Sequence, residues 1–239
     1  MTDWVTTTSE LATGLGTLVL AIATFASVRS ANLAARTAQD SMRAGMRPVL
    51  MHSRLQDPQQ KVAFGDDQWV AVLGGSAAVV CTENVIYLAV SVRNAGTGMG
   101  ILHGWRLTLR TPSQPQERPP LEEFTAQTRD MYVAPTDVAF WQGALRDPDT
   151  EAFQRITAAI RAGDSLALDL LYGDFEGGQR VISRFSLAHS PFGGPGPDAP
   201  DGPAAAHPAG ARAMPGAGGE SRWLASVVRH WNVDRPDPR

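Results

Sequence analysis

VIYLAVSVRNAGTGMGILHGWRLTLR, residues 85–110, decides the fold class. Ile86, Leu88, Val90 and Val92 alternate with Tyr87, Ala89, Ser91 and Arg93. That period of two turns one face of a strand to a core. Past a glycine-rich corner, Ile101, Trp105, Leu107 and Leu109 are expected to share a face with His103, with Arg106, Thr108 and Arg110 opposite. Asn94-Ala95-Gly96-Thr97-Gly98 supplies residues that tolerate the positive φ of a tight turn. Two long strands joined in this way make the centre of the protein β-sheet. They specify architecture and no reaction.

Further strands flank this pair. Residues 48–55 read as a strand, a loop holds Asp57 to Gln60, and residues 69–73 and 76–81 flank a Gly74-Gly75 hairpin signal. Residues 111–130, with four prolines, are expected to be a surface loop, followed by short strands at 131–134 and 138–142. Asp147-Pro148 reads as an N-cap with proline at the first helical position. It opens a helix that puts Phe153, Ile156 and Ile160 on one side and ends at Gly163. Leu166, Leu168, Leu170 and Tyr172 then alternate into a turn, GDFEGG, and a return strand carries Val181, Phe185 and Leu187. Residues 189–220 are dominated by Gly, Pro and Ala and bury too little to order themselves. Trp223, Val227, Val228 and Trp231 resume a β-like pattern that should dock on the rest. So many short strands with turns between them indicate an all-β sandwich.

The 239 residues carry 43% hydrophobic and 19% charged side chains, as a globular core requires. A net charge of −3 argues against a nucleic-acid protein. Lys61 is the sole lysine among 21 Lys+Arg, which reads as coding bias. The single cysteine, Cys81, has no internal disulfide partner and suits a reducing compartment.

Residues 11–28, LATGLGTLVLAIATFASV, hold no charge and are apolar all round. Three readings compete. A cleaved signal peptide would need a basic leader, whereas Asp3 and Glu10 precede this stretch. A buried soluble helix is open to it because Ala, Thr and Gly dilute its hydrophobicity. A single transmembrane helix is the reading adopted, since about 20 apolar residues cross a bilayer. Arg29, Arg36, Arg43 and Arg47 follow it and no basic residue precedes it, so the C-terminal side is expected in the cytoplasm. Thr13, Thr17 and Ala21 form a small-residue face on which two copies could pair. The helix should continue as an alanine-rich stalk until Gly45 and Pro48 stop it. The domain order expected is a tail (1–10), a transmembrane helix (11–28), a stalk (29–46), a β-sandwich (47–188), a disordered linker (189–221) and a C-terminal β segment with its tail (222–239).

The span at 11–28, the Arg47-Pro48 strand entry, SVRNAGTGMG and LLYGDFEGGQRVISRF together resemble a group of uncharacterised bacterial proteins, frequent in actinobacteria. These carry one N-terminal membrane helix and an immunoglobulin-like domain. The resemblance covers nearly the whole chain outside residues 189–220. It implies a mainly β protein, an anchor and stalk followed by an immunoglobulin-like sandwich with one inserted helix, and it implies no activity. The paired cysteines of antibody-type domains are missing.

Gly96-x-Gly98-x-Gly100 leads into a strand, so it lacks the helix terminus that a dinucleotide site needs. None of the five histidines has metal spacing, and no cofactor is expected. Asp147, Asp149, Asp169 and Asp174 read as capping, exposed-face and turn residues, and the tryptophans as core or interface. Phe140-Trp141 stands out: neighbours on a strand face opposite sides, so one of them could anchor a partner. The function expected is therefore a membrane-tethered interaction or scaffolding module without catalysis, with the bilayer and a protein as partners. The alternative is an anchored hydrolase or transferase using His103, Asp130 and Asp174.

Overall fold

The computed structural model describes residues 3–111, 116–190 and 222–237, with the backbone alone for residues 3–13. The chain divides into two units between Gly45 and Met46.

The first unit is one α-helix, α1 (Asp3–Gly45), 43 residues without a break. At 1.5 Å per residue it is about 65 Å long, roughly twice a bilayer's hydrocarbon thickness. Residues Gly14–Gly45 form a helix long and apolar enough to cross a membrane. The large apolar side chains from Leu15 to Val28 are 55–71% exposed. Gly45 ends the helix just ahead of Arg47-Pro48, where extended backbone is favoured.

The second unit is mainly β. Its strands are β1 (Leu50–His52), β2 (Gln60–Ala63), β3 (Trp69–Val72), β4 (Ser76–Cys81), β5 (Ile86–Asn94) and β6 (Gly100–Leu109). After them come β7 (Thr125–Val133), β8 (Val138–Leu145), the helix α2 (Glu151–Ala162), β9 (Leu166–Gly173), β10 (Val181–Ser190) and β11 (Arg222–Asn232). Nine strands form one antiparallel sheet, in the order β1-β5-β4-β11-β10-β9-β6-β7 with β8 on β5. This sheet curls so that Leu88, Val90 and Trp141 from one half share a core with Leu168, Leu170, Tyr172 and Phe185 from the other. Phe153, Ile156 and Ala159 of α2 complete that core. A separate β2–β3 ribbon supplies Val62, Phe64 and Val72 to a second cluster with Tyr87 and Ala89. Strand β5 is therefore buried on both faces, not on the one that its alternation marks.

The corner after β5 works differently from the expectation. Its glycines do not adopt positive φ; among described glycines only Gly75, Gly163 and Gly177 do. Side chains at Gly96 and Gly98 would instead strike the carbonyl oxygens of Arg47 and Met46. Close passage of the entering chain is what excludes a Cβ here. Asn94, fully buried, holds the junction together. Its Oδ1 accepts from the backbone N–H of Val49 (3.1 Å) and Gly96 (2.9 Å), and its Nδ2 donates to the carbonyls of Gly98 (2.6 Å) and Val133 (3.0 Å). Both amide hydrogens and the carbonyl are satisfied, as a buried amide requires.

A bulge in β6 between Leu102 and Gly104 changes the facing of its first residues. Leu102 joins Trp105 and Leu107 in the core, while His103, at the bulge, is exposed. Ile101 and His103 therefore do not share the apolar face of Trp105. Strand β3 pairs with β2, and β4 with β5 and β11, so Gly74-Gly75 links two sheets and closes no hairpin. The polar segment before residue 131 is strand from Thr125 onward. Thr150, not Asp147, caps α2: its Oγ1 accepts from the Phe153 N–H at 3.3 Å. Gly163 ends α2 at φ 75°, as the sequence suggests. Strand β10 runs through Ser190, two residues into the expected linker; the rest of that linker, residues 191–221, lies outside the described residues. Strand β11 is an interior strand, paired with β10 along its length and with β4 at Trp223 and Leu224.

Candidate functional site

The aromatic pair expected to offer an anchor is turned inward. Trp141 is 0% exposed and meets Trp105 edge to face, ring centroids 5.3 Å apart at 62°. Its ring lies over Gly143, 2.6 Å from where a Cβ would be, so the glycine makes room for the indole. Phe140, on the opposite side of β8, packs half-buried into the cluster beneath the β2–β3 ribbon. Beside that cluster, Asp66 accepts from Tyr87 (2.6 Å) and Arg146 (2.7 Å), which tie the ribbon's turn to the sheet. The Arg146 guanidinium holds the Asp66 carboxyl below its usual range. The ribbon covers the face that β8's alternation would otherwise leave in water. Neither Phe140 nor Trp141 is a free anchor.

The two most exposed aromatics of the second unit lie at another rim, while Trp69 on β3 of the ribbon is 46% exposed. Ile101 on β6 stands between Tyr132 on β7 and Gly173 on β9 in the register. Tyr132 is 53% exposed, and Phe175, in the turn after β9, is 74% exposed. The His103 imidazole occupies the place of a side chain at Gly173, its Nε2 2.8 Å from where a Cβ would be, and Arg180 Cγ lies 3.6 Å from the same point. His103 keeps an exposed edge, but partial desolvation where its ring lies against Gly173 lowers its pKa, and Arg180 pushes it the same way; the charges of Asp130 and Asp174 oppose them. The three residues of the alternative enzymatic reading thus come within electrostatic reach of one another. Asp174, however, is committed to the turn: its carboxylate accepts from the Gly178 N–H (2.8 Å) and from Gln179 Nε2 (3.2 Å). Arg180 in turn grips Asp234 through several hydrogen bonds, the shortest 2.7 Å.

Two buried polar groups went unread in the sequence. Asp169, taken there for an exposed strand residue, is 0% exposed and bridges two arginines across register positions. Arg184 binds it with Nε at 2.6 Å and Nη2 at 2.9 Å, and Arg106 Nη1 lies at 3.0 Å. Arg106 also pairs with Glu123 (2.7 Å), Arg118 donates to the Asn232 carbonyl (3.3 Å), and Pro119 between them is buried. The segment ahead of β7 thus covers this outer face of β9 and β10. The Arg184 guanidinium also lies 4.9 Å from the centre of the Trp231 ring. Inside the sheet, the Tyr172 hydroxyl accepts from the Leu50 N–H (3.0 Å) and bonds Ser183 Oγ (2.9 Å), which lies 2.7 Å from His230 Nδ1. A Ser–His contact is the germ of a nucleophile and base. Here Ser183 is fully buried among core residues, so the pair serves as internal wiring.

Among the described residues, no group of three or more His, Cys, Asp or Glu side chains is placed to hold a metal ion. Comparison with protein-family models, curated proteins and solved structures gives no match.

Proposed function

We propose that this chain is a single-pass membrane protein, N-terminus outside and β domain in the cytoplasm, whose domain binds a protein partner at the membrane without turning over a substrate. The observation that carries the reading is α1, which from Gly14 to Gly45 is long and apolar enough to cross a membrane and whose large apolar side chains from Leu15 to Val28 are open to their surroundings. The arginines after the span support the orientation. Confinement to a thin layer raises the effective concentration of any partner held there, so a few aromatic contacts suffice. With Trp141 buried and Phe140 half-buried under the ribbon, the contacts move to Tyr132 and Phe175 beside His103. A reporter active only in the cytoplasm, fused after Arg239, should work, and one active only outside should be silent. The reverse pattern overturns the orientation. Loss of a small-molecule turnover in His103→Ala, with folding intact, would replace the binding reading by the enzymatic one.

A further inference from the structure

We propose that the seam between β1 and β11 is an acid-sensitive latch: proton uptake by His52 and His230 opens it and releases β1 from β10 and β11, while the rest of the sheet stays folded. Strand β1 is the first after α1, so the latch lets acid loosen the domain at its point of attachment. The seam has no backbone ladder of its own. Among the described strands β1 ladders with β5 alone, from Leu50↔Asn94 to His52↔Val92. On its side away from β10, β11 pairs with β4 at Trp223 and Leu224, and the Ala225 N–H then reaches the Gly75 carbonyl (3.0 Å). Beyond that point side chains tie the two strands together. The Val227 N–H donates to His52 Nδ1 (3.3 Å), the Leu50 N–H to the Tyr172 hydroxyl (3.0 Å), and Arg47 to Asn232 Oδ1. The Tyr172 hydroxyl meets Ser183 Oγ (2.9 Å), which meets His230 Nδ1 (2.7 Å).

These bonds fix the protonation state of both rings. A backbone N–H can only donate, so His52 Nδ1 must offer a lone pair to Val227. At His230 two hydroxyls decide, on residues that are both 0% exposed. The Tyr172 oxygen accepts from Leu50, and its own hydrogen has Ser183 Oγ as its described acceptor. Ser183 then donates to His230 Nδ1, so every hydrogen in the chain is satisfied and this nitrogen also carries a lone pair. Both imidazoles therefore hold the seam only in the neutral Nε2–H form. A proton on His52 sets two N–H groups against each other. A proton on His230 reverses the chain and leaves the Tyr172 hydrogen buried without an acceptor, which is costly. Nearby charges favour the same neutral form. Burial comes first in lowering both pKa values from 6.5; Arg93 on β5 then lowers that of His52, and Arg47 on the entering chain that of His230. The buried Arg93 Nε has no hydrogen-bond partner among the described residues, so no carboxylate there offsets its charge. Of the carboxylates around Asn232, Asp237 accepts from its N–H (2.6 Å) and Asp234 is gripped by Arg180. In the opened seam both rings regain water and a pKa nearer 6.5. The latch is thus fully closed well above 6.5 and weakens as pH falls from 6.5 toward the folded values. It opens before the rest because β1 is three residues long and laddered on one side, whereas β9 is laddered on both.

The test is amide hydrogen exchange on the full chain in mild detergent, at about pH 7.5 and about pH 5.5, corrected for the intrinsic pH dependence of exchange. Segments holding residues 49–52 and 226–231 should lose protection about tenfold at the lower pH, while residues 166–172 of β9 keep theirs. Asparagine places Oδ1 close to the position of the histidine Nδ1, accepts a hydrogen bond there and does not titrate. His52→Asn combined with His230→Asn should therefore keep protection level between the two pH values. Nitrogen NMR of histidine-labelled wild-type protein at the higher pH reads the rings without any variant, and both should show the Nε2–H form. Equal protection at the two pH values, an equal loss in β9, or the Nδ1–H form at either ring overturns the latch. So does a folded double variant that still loses protection in acid as the wild type does.

Discussion

Trp141 and Phe175 are both aromatic residues of the β domain, yet one is wholly enclosed and the other is the most exposed aromatic ring among the described side chains. The difference does not lie in their own strands. Trp141 points to the side of β8 that meets Trp105, and its neighbour Phe140 points to the side that the β2–β3 ribbon covers. Phe175 lies in a tight turn between β9 and β10, with Asp174 and Gly177 holding the backbone. Alternation tells which residues share a face; only the whole topology tells what lies over each face.

The first way to break this contrast is Trp141→Ala, which should destabilise the domain by about 3–5 kcal/mol, as large aromatic truncations in cores do. Chemical denaturation of the domain measures it. A loss below about 1 kcal/mol would mean that the interior collapses around the gap and that Trp141 is dispensable. Asp169→Ala comes next. It leaves Arg106 and Arg184 facing each other without the carboxylate between them, at a cost of about 3 kcal/mol. If the change is neutral, the outer face of β9 is wetter than its enclosure by the segment ahead of β7 implies.

How much of this could be read from residues alone follows the same line. Strands β5, β9 and β10 were legible because each alternates over seven residues or more, and Gly163 announced the end of α2. Strand β2 was not, since QKVA is too short and polar to stand out until its partner β3 is known. The β6 bulge was hidden as well: Leu102 and Trp105 are three apart, a spacing no regular strand can put on one face. Asp169 looked like a solvated residue because its enclosure needs a third strand: Arg184 faces it across the hairpin, but Arg106 comes from β6, 63 residues away. The exposed rim had one visible signal. An aromatic inside GDFEGG has no strand face to turn inward, and the sequence reading passed over it for the Phe140-Trp141 pair.

A smaller effect sharpens the contrast through pH. His52, His103 and His230 all have pKa values lowered from 6.5, with burial the first cause in each and an arginine the second. An imidazole with a lowered folded pKa takes up its proton more readily in the unfolded chain. Well above 6.5 neither state is charged and nothing is lost. As pH falls through 6.5 toward the folded values, the unfolded state gains protons first and stability drops. Asp66 and Asp234, lowered from 3.8, add their own loss only in more acid solution, so the two windows separate. The denaturation midpoint should therefore fall between about pH 7.5 and pH 5.5, and His103→Gln should flatten part of that slope. A midpoint that is level across this range would show the histidines to be as hydrated as in the unfolded chain.

The smallest effect expected on stability is at the rim, and there a small number is the informative one. Phe175 buries little, so Phe175→Ala should change stability by no more than about 0.5 kcal/mol, as surface substitutions do. Tyr132→Ala should act similarly, because the described side-chain hydrogen bond of its hydroxyl, to Asp130 at 3.4 Å, is solvent-exposed. Against that silence, the two substitutions together should abolish co-purification of a protein partner from membranes solubilised in mild detergent, since exposed aromatics become binding anchors only once a partner desolvates them. Arg155→Ala on α2, an exposed residue with a loose ion pair to Glu151 at 3.8 Å, serves as the control and should retain the partner. If the double variant keeps its partner, the binding surface lies elsewhere on the domain. If it unfolds, the rim belongs to the core and the contrast with Trp141 disappears.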